Sequence, residues 1–382
     1  MRENTVKRLI LFAFAFVCLA GFCGAETQRL FIGTYTGGEN GSKGVYTCEF
    51  DAEAGTLSEP VLAAECESPS FLTVHPLKLQ LFAVGETGKS GKLYSFTYRK
   101  ANGQLTPVDE IEIPGSSACH LCLCQEPNAL GDSVVIANYS SGNIVSYPVF
   151  ESGKFGKLAS NIPHNGSGPH ARQKEPHPHG IFFESVDGKS VAVPDLGIDK
   201  VIFYNIDFTT AKLEKRSVRS VLECPPGTGP RHLTFSKDGR FAYVNGELSS
   251  TLCVFQLRGT KQGLIQTIST LPEGFDGSEN ATAEIELSSS GKFLYVSNRG
   301  HDSLAVFRID EAGGTLSPVE IVPSGGKHPR FFALSPSGQF LLSCNMNSDN
   351  ITVFRVDGGT GKLYPSGSSI RIAKPVCVKF VP

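Results

Sequence analysis

An all-β chain of seven four-stranded sheets closed into a ring is the architecture this sequence predicts. Three observations carry that expectation. Short runs of alternating or β-branched apolar residues, bounded by Gly, Pro, Asn and Asp, recur along the chain, and no stretch shows the 3.6-residue stripe of an amphipathic helix. A strand followed by a turn and a leucine occurs seven times, closing at Leu57, Leu105, Leu158, Leu213, Leu264, Leu316 and Leu363, so the period is 47 to 55 residues. The 382 residues include 41 Gly and 23 Pro but no Trp, a composition suited to many short turns. A period of that length without helices is that of a seven-bladed β-propeller.

The elements follow in order. Arg2, Lys7 and Arg8 precede an apolar run over residues 9–22, and Cys23-Gly24-Ala25 offers small residues for processing. That run is shorter than the roughly 20 residues a spanning helix needs. A signal peptide over residues 1–25, cleavage after Ala25, and an exported (periplasmic or extracellular) chain with no stable membrane insertion are therefore expected. Residues 26–382 are expected to form a single propeller domain. Six of the seven repeats carry an inner-strand candidate, beginning near Ser70, His120, His179, Arg231, Glu284 and Arg330, but the first has none ahead of it. The C-terminal run PVCVKF supplies the missing strand. Its pairing with the N-terminal strands is expected to close the ring and remove the open sheet edges.

Charge and cysteine content exclude some classes. Without residues 1–25 the chain holds 32 basic and 36 acidic residues, so no basic field for nucleic acid is present. Nine cysteines remain, an odd number, and pairing and oligomeric state are not set by sequence. Cys119, Cys122 and Cys124 have a spacing that resembles half of a metal site, but they fall in the strand-like run HLCLC with no second cluster nearby. Buried small apolar residues are the expectation there, with no metal and no cofactor.

Strand direction places the candidate site. Residues 230–247, PRHLTFSKDGRFAYVNGE, read as a hairpin about Lys237-Asp238-Gly239. A regular ladder would set Arg231 and Glu247, equidistant from Gly239, side by side at its open end. Across the repeats the same rim collects His120, His179, Arg231 and Arg330 from strand starts, and Glu86, Asn138, Asp195, Glu247, Arg299 and Asn345 from strand ends. Titratable groups converging on a propeller's channel mark the default functional pocket. An ion pair that only seals the hairpin would use Arg231 and Glu247 equally well, and a backbone-bonded channel histidine would serve as well as a base. Asp195, Asp199, Asp302 and Asp349 lie in or beside short links and are expected to make Asx-type turn bonds.

The segments FIGTYT, ANYSSGN, RQKEPHPHG, GTGPRHLTFSKDGRFAYV, LYVSNRGHDSLAVF and HPRFFALSPSGQFLL resemble the lactonase family of seven-bladed propellers, across essentially the whole mature chain. The resemblance implies metal-independent chemistry on a small-molecule lactone at the channel mouth, with His179, Arg231, Glu247 and Arg299 as the working residues. His120, Glu86, Asn138, Asp195 and Arg330 are the expected substrate contacts. Gly180 stands where the family usually has Ser, and Gly85 and Gly246 precede the strand-end glutamates where it usually has Asn. Hydrolysis of a sugar lactone like 6-phosphogluconolactone is the reading this supports. A lactone-forming cycloisomerase and a non-catalytic binding propeller are the alternatives.

Overall fold

The computed structural model of the protein describes residues 27–37, 41–88, 90–125, 131–184, 188–259 and 262–382. The expected signal segment and its cleavage point after Ala25 lie outside these residues.

The described residues form seven antiparallel sheets, one per repeat, with a single short 3-10 turn at Met346–Ser348. The ring closes as the sequence predicts. The C-terminal strand Pro375–Phe380 pairs with Thr27–Thr34, from Leu30↔Phe380 to Thr34↔Pro375, and completes the first blade. Edge-on contacts of Phe50 with Phe340 of the last blade (5.3 Å) and with Phe380 (5.6 Å) fill the seam. Gly55 is required there: its φ is +72° and a Cβ would stand 2.1 Å from the Phe340 ring.

The second strand of each blade is packed on both faces, which is why these strands read as continuous apolar runs; all residues of Gln80–Gly85, Phe241–Gly246 and Phe340–Asn345 are buried. Outer strands such as Leu316–Pro323 are half-buried or exposed after their first residue. Two of the seven closing leucines depart from the repeat, since Leu158 and Leu264 are 44% and 42% exposed. In the third blade Phe155, bridged to Val149, takes the buried place.

The inner hairpins are not the regular ladders the sequence suggested. Pairing slips where the inner strand starts: Pro230 faces Gly246 but Leu233 already faces Val244. Similar slips isolate Ser70 between Pro69 and Phe71, Cys119 between Ala118 and His120, Arg330 between Pro329 and Phe331, and Val376 between Pro375 and Cys377. Such a bulge frees a residue from the ladder and re-aims its side chain. Proline, which has no N–H to give the ladder, stands at the start of most of these strands. His179 precedes its strand, Phe182–Glu184, altogether, and only an isolated bridge from Pro178 to Asp195 ties that segment to the sheet.

Candidate functional site at the channel mouth

Arg231 does not stand opposite Glu247 in the ladder, yet the two meet. The bulge turns Arg231 toward the strand end, where Nε lies 3.1 Å from Glu247 Oε2. Arg299, at the end of the matching strand of the next blade, brings Nη2 to 2.8 Å of the same oxygen. His179 Nε2 approaches it to 3.8 Å from the blade before. One carboxylate oxygen thus gathers three cationic or titratable side chains from three successive blades.

These contacts are held by charge rather than by aligned hydrogen bonds, because among the described residues neither Arg231 Nε nor Glu247 Oε2 has a partner at hydrogen-bonding angles. Buried polar atoms in that condition are uncommon and retain bonding capacity. Backbone carbonyls fix the arginines: Arg231 Nη1 donates to Ala283 O (2.6 Å), and Arg299 donates through Nη2 to Thr282 O (2.9 Å) and through Nε to Ala281 O (3.3 Å).

The electrostatics follow from burial and crowding. Burial alone would raise the Glu247 carboxyl, but Arg299, His179, Arg231 and Arg172 overcome it and hold the group well below the usual carboxylate range. His179 moves well below the ordinary imidazole value, first through burial and then through Arg231, with Glu247 opposing. It is therefore neutral near pH 7, where the arginines stabilise the Glu247 carboxylate. Burial, then Arg299 and Arg330, bring Arg231 down to about 10, which still leaves it charged at neutral pH.

Arg330, Glu86 and Tyr35 form a second group. Arg330 Nη2 is 3.3 Å from Glu86 Oε2, Tyr35 donates its hydroxyl to that same oxygen at 2.6 Å, and the guanidinium sits 5.2 Å over the Tyr35 ring.

Three of the expected substrate contacts are placed elsewhere. Asp195 is fully buried, with Oδ2 2.7 Å from His164 Nδ1 and Oδ1 accepting from His177 N and Gly197 N. It is a structural hub beside the mouth. Asn138 donates to Pro114 O and tightens a turn. His120 lies deeper, 3.8 Å from the Phe71 ring centroid, with Nδ1 accepting from Ile181 N. His177 stacks on Tyr139 and bonds its carbonyl. Asp199, Asp302 and Asp349 accept from the backbone N–H groups of Gly229, His328 and Lys374, far along the chain, so these bonds tie separate loops together rather than closing the local Asx-type turns expected of them.

Four mouth residues escaped sequence reasoning. Arg172, from the link ahead of His177, reaches Glu247 Oε1 at 2.7 Å and donates to the Tyr139 hydroxyl at 2.9 Å. Tyr35 and Tyr139 are the others, together with Cys119, whose Sγ lies 3.8 Å from His179 Nδ1. Burial raises the Cys119 thiol, so it stays protonated. Only its bulge position, shared with Arg231, could have flagged it. Cys122 and Cys124 pack together on their strand, and no three His, Cys, Asp or Glu side chains group to hold a metal among the described residues.

The model of the lactonase family of seven-bladed β-propellers matches residues 29–380. The chain belongs to this family. A 6-phosphogluconolactonase of Bacillus subtilis is 35% identical over 353 residues, which cover 92% of this chain and 97% of that one. A periplasmic gluconolactonase of Pseudomonas aeruginosa superposes with a TM-score of 0.85 at 33% identity, over 93% of this chain and 99% of that chain. A Lactobacillus plantarum protein superposes with a TM-score of 0.84 at 30% identity, over 93% and 100%. Within this lactonase-family chain the glycine departures have a steric cause. A Cβ on Gly180 would stand 2.3 Å from the Phe182 ring, and one on Gly246 would stand 2.5 Å from Ser249 Oγ.

Proposed function

We propose that the protein is a lactonase that opens a sugar lactone of the gluconolactone type at this mouth, without a metal. The observation that carries the reading is the convergence of His179, Arg231 and Arg299 on Glu247, in a chain akin to enzymes named for gluconolactone hydrolysis. Neutral His179 takes a proton from water as the oxygen adds to the lactone carbonyl. Glu247 steadies the imidazolium that results. Arg231 and Arg299 stabilise the tetrahedral oxyanion. The ring C–O bond then breaks, and the leaving alkoxide receives the proton from His179. Water is consumed and a hydroxy acid leaves. Arg330, paired with Glu86, orients the sugar or holds a 6-phosphate, an anion that guanidinium matches with two hydrogen bonds.

The working unit of this proposal is the single domain over residues 26–382, exported by the signal over residues 1–25. Support for export comes from that segment's pattern and from the periplasmic relative. No helix among the described residues is long and apolar enough to cross a membrane.

The test is hydrolysis of gluconolactone and of its 6-phosphate by residues 26–382, corrected for spontaneous opening, with His179→Ala and Arg231→Ala alongside. Turnover on one of the lactones, lost in both variants, is expected, and the preferred lactone identifies the substrate. Wild-type turnover in Arg231→Ala would refute the assignment. No turnover on either lactone would leave the cycloisomerase or the binding propeller in its place.

A further inference from the structure

Arg231 has three nitrogens and three different surroundings. Nε faces Glu247, Nη1 is turned away from the mouth, and Nη2 has no protein hydrogen bond among the described residues. Nη1 is held by Ala283 O at 2.6 Å and by a pair of side chains the proposed reaction does not itself use. Nη1 lies 3.2 Å from His232 Nε2, and His232 Nδ1 lies 3.1 and 3.2 Å from the two oxygens of Glu284 on the next blade. All three residues are buried.

The chemistry of these atoms fixes the protons. A guanidinium nitrogen only donates, so His232 Nε2 must accept. The imidazole then carries its single proton on Nδ1 and donates it to Glu284. Protonating Nε2 would set two N–H groups against each other beside a cation, and burial, Arg231, Arg330 and Lys379 all push His232 well below the ordinary imidazole value. The ring is also clamped. Phe182 and His120 pack on it at 5.3 and 5.1 Å, the His232 N–H donates to Asn245 Oδ1 at 2.7 Å, and Asn245 Nδ2 donates to Ala283 O, the carbonyl that also receives Arg231 Nη1.

We infer that His232 and Glu284 are positioning residues, a buried pair that fixes the rotation of the Arg231 guanidinium so that Nη2 points into the mouth. The inference rests on the proposed role of Arg231 at the oxyanion. Neither residue touches substrate; both act through Arg231. A donor fixed before the charge develops needs no reorganisation during reaction, which is where oxyanion stabilisation gains its strength. The groups facing Glu284 are Arg231, His232, Arg330, Lys379 and the thiols of Cys344 and Cys377 from neighbouring strands and Glu286 from its own, and burial wins over the cations to bring its carboxyl up to about 7. Its charge, and with it the firmness of the hold on Nδ1–H, therefore changes around neutral pH.

Two arms test this. Steady-state lactone hydrolysis by His232→Phe, which keeps a ring for Phe182 and His120 but has no acceptor, is expected to show kcat lowered about 100-fold, the order that misplacing a reacting group costs. KM should stay within a few-fold. His232→Gln, whose amide can accept from Arg231 and donate to Glu284, should recover most of kcat, and Glu284→Gln should remove a titration near pH 7 from the rate profile. Wild-type kcat in His232→Phe, or equal losses in the Phe and Gln variants, would overturn the inference. The second arm is independent of turnover: ¹⁵N NMR of histidine-labelled wild-type protein should show His232 as the Nδ1–H tautomer. An Nε2–H tautomer would overturn the positioning geometry even if the lactonase reading stands, whereas a wild-type chain that opens no lactone would overturn that reading and leave the tautomer to decide the geometry.

Discussion

Glu86 and Glu247 occupy the same place in their blades, each following a glycine at the end of the second strand, yet they live in different electrostatic worlds. The inner strand beside Glu247 carries Arg231 at its bulge, and the next blade adds Arg299. The inner strand beside Glu86 carries Ser70 at the bulge, so its cation, Arg330, comes from another blade around the ring. One glutamate serves several cations and keeps an oxygen without an aligned hydrogen bond. The other is matched one to one and accepts a tyrosine hydroxyl at 2.6 Å. From one backbone plan, the residue chosen at a bulge decides whether a strand-end carboxylate becomes a reactive centre or part of a satisfied wall.

The sharpest way to break that contrast is to neutralise each glutamate in turn. Glu247→Gln leaves Arg231 and Arg299 buried and facing each other without a counter-charge. Uncompensated buried charge costs about 3–5 kcal/mol, so a large fall in melting temperature is expected together with loss of turnover by about 100-fold or more. Glu86→Gln takes the carboxylate from a largely buried pair whose side chains are 13% and 18% exposed, but it strands one arginine rather than two and leaves the Tyr35 ring under it, so a smaller loss of stability, on the order of 1–3 kcal/mol, is expected. Its signature should be a raised KM. Thermal melts and steady-state kinetics on the two variants decide the matter, and equal losses would show that the two positions are functionally alike.

A smaller effect lies in the pH profile. His179 is held below its ordinary value by burial and by Arg231, while Glu247 pulls the other way. Protonation removes the base, so kcat/KM should rise with pH along an acid limb whose midpoint lies below about 6.5. Removing the Glu247 charge takes away the one contribution that favours the imidazolium. The residual activity of Glu247→Gln should therefore show its acid limb at still lower pH, whereas Glu86→Gln should leave the limb in place. An acid limb that moves up in Glu247→Gln would contradict this electrostatic arrangement.

The two halves of the mouth were also unequally legible. The repeat, the blade number and the closing strand are written in strand periodicity, because alternation and turn chemistry act locally. Glu247, Arg299 and Glu86 are visible for the same reason: each is a polar residue ending an apolar run that must be buried. Asp195 and Asn138 meet the same criterion and are consumed by loop and turn bonds, since strand-end position does not report which neighbour arrives first. The bulges leave one mark, the proline that opens most of the bulged strands, but the strand of Cys119 opens with Ala118 and lacks it. Cys119 is buried as expected of a small apolar residue, and only its place beside His179 is unmarked. Tyr35 and Arg172 come from segments outside the repeat's strands, and their approach to the mouth depends on the ring having closed.

Arg172 gives the finest test of the contrast. Among the described residues around Glu247 it is the cation that is not fixed by a strand: its side chain is 47% exposed, and it reaches Glu247 Oε1 and the Tyr139 hydroxyl from the link before His177. Gln173 beside it is fully buried and anchors that link through Leu196 O and Asp199 Oδ1, so truncating Arg172 should not release the segment. Exposure discounts the ion pair, and Arg172→Met is expected to change stability by no more than about 1 kcal/mol. Because Arg231 and Arg299 still hold Oε2, Glu247 remains ionised and kcat should fall by only a few-fold. A loss in Arg172→Met as deep as that in Glu247→Gln would mean that the carboxylate depends on the link rather than on the blades, and the contrast between the two glutamates would then lie in the loops instead of the bulges.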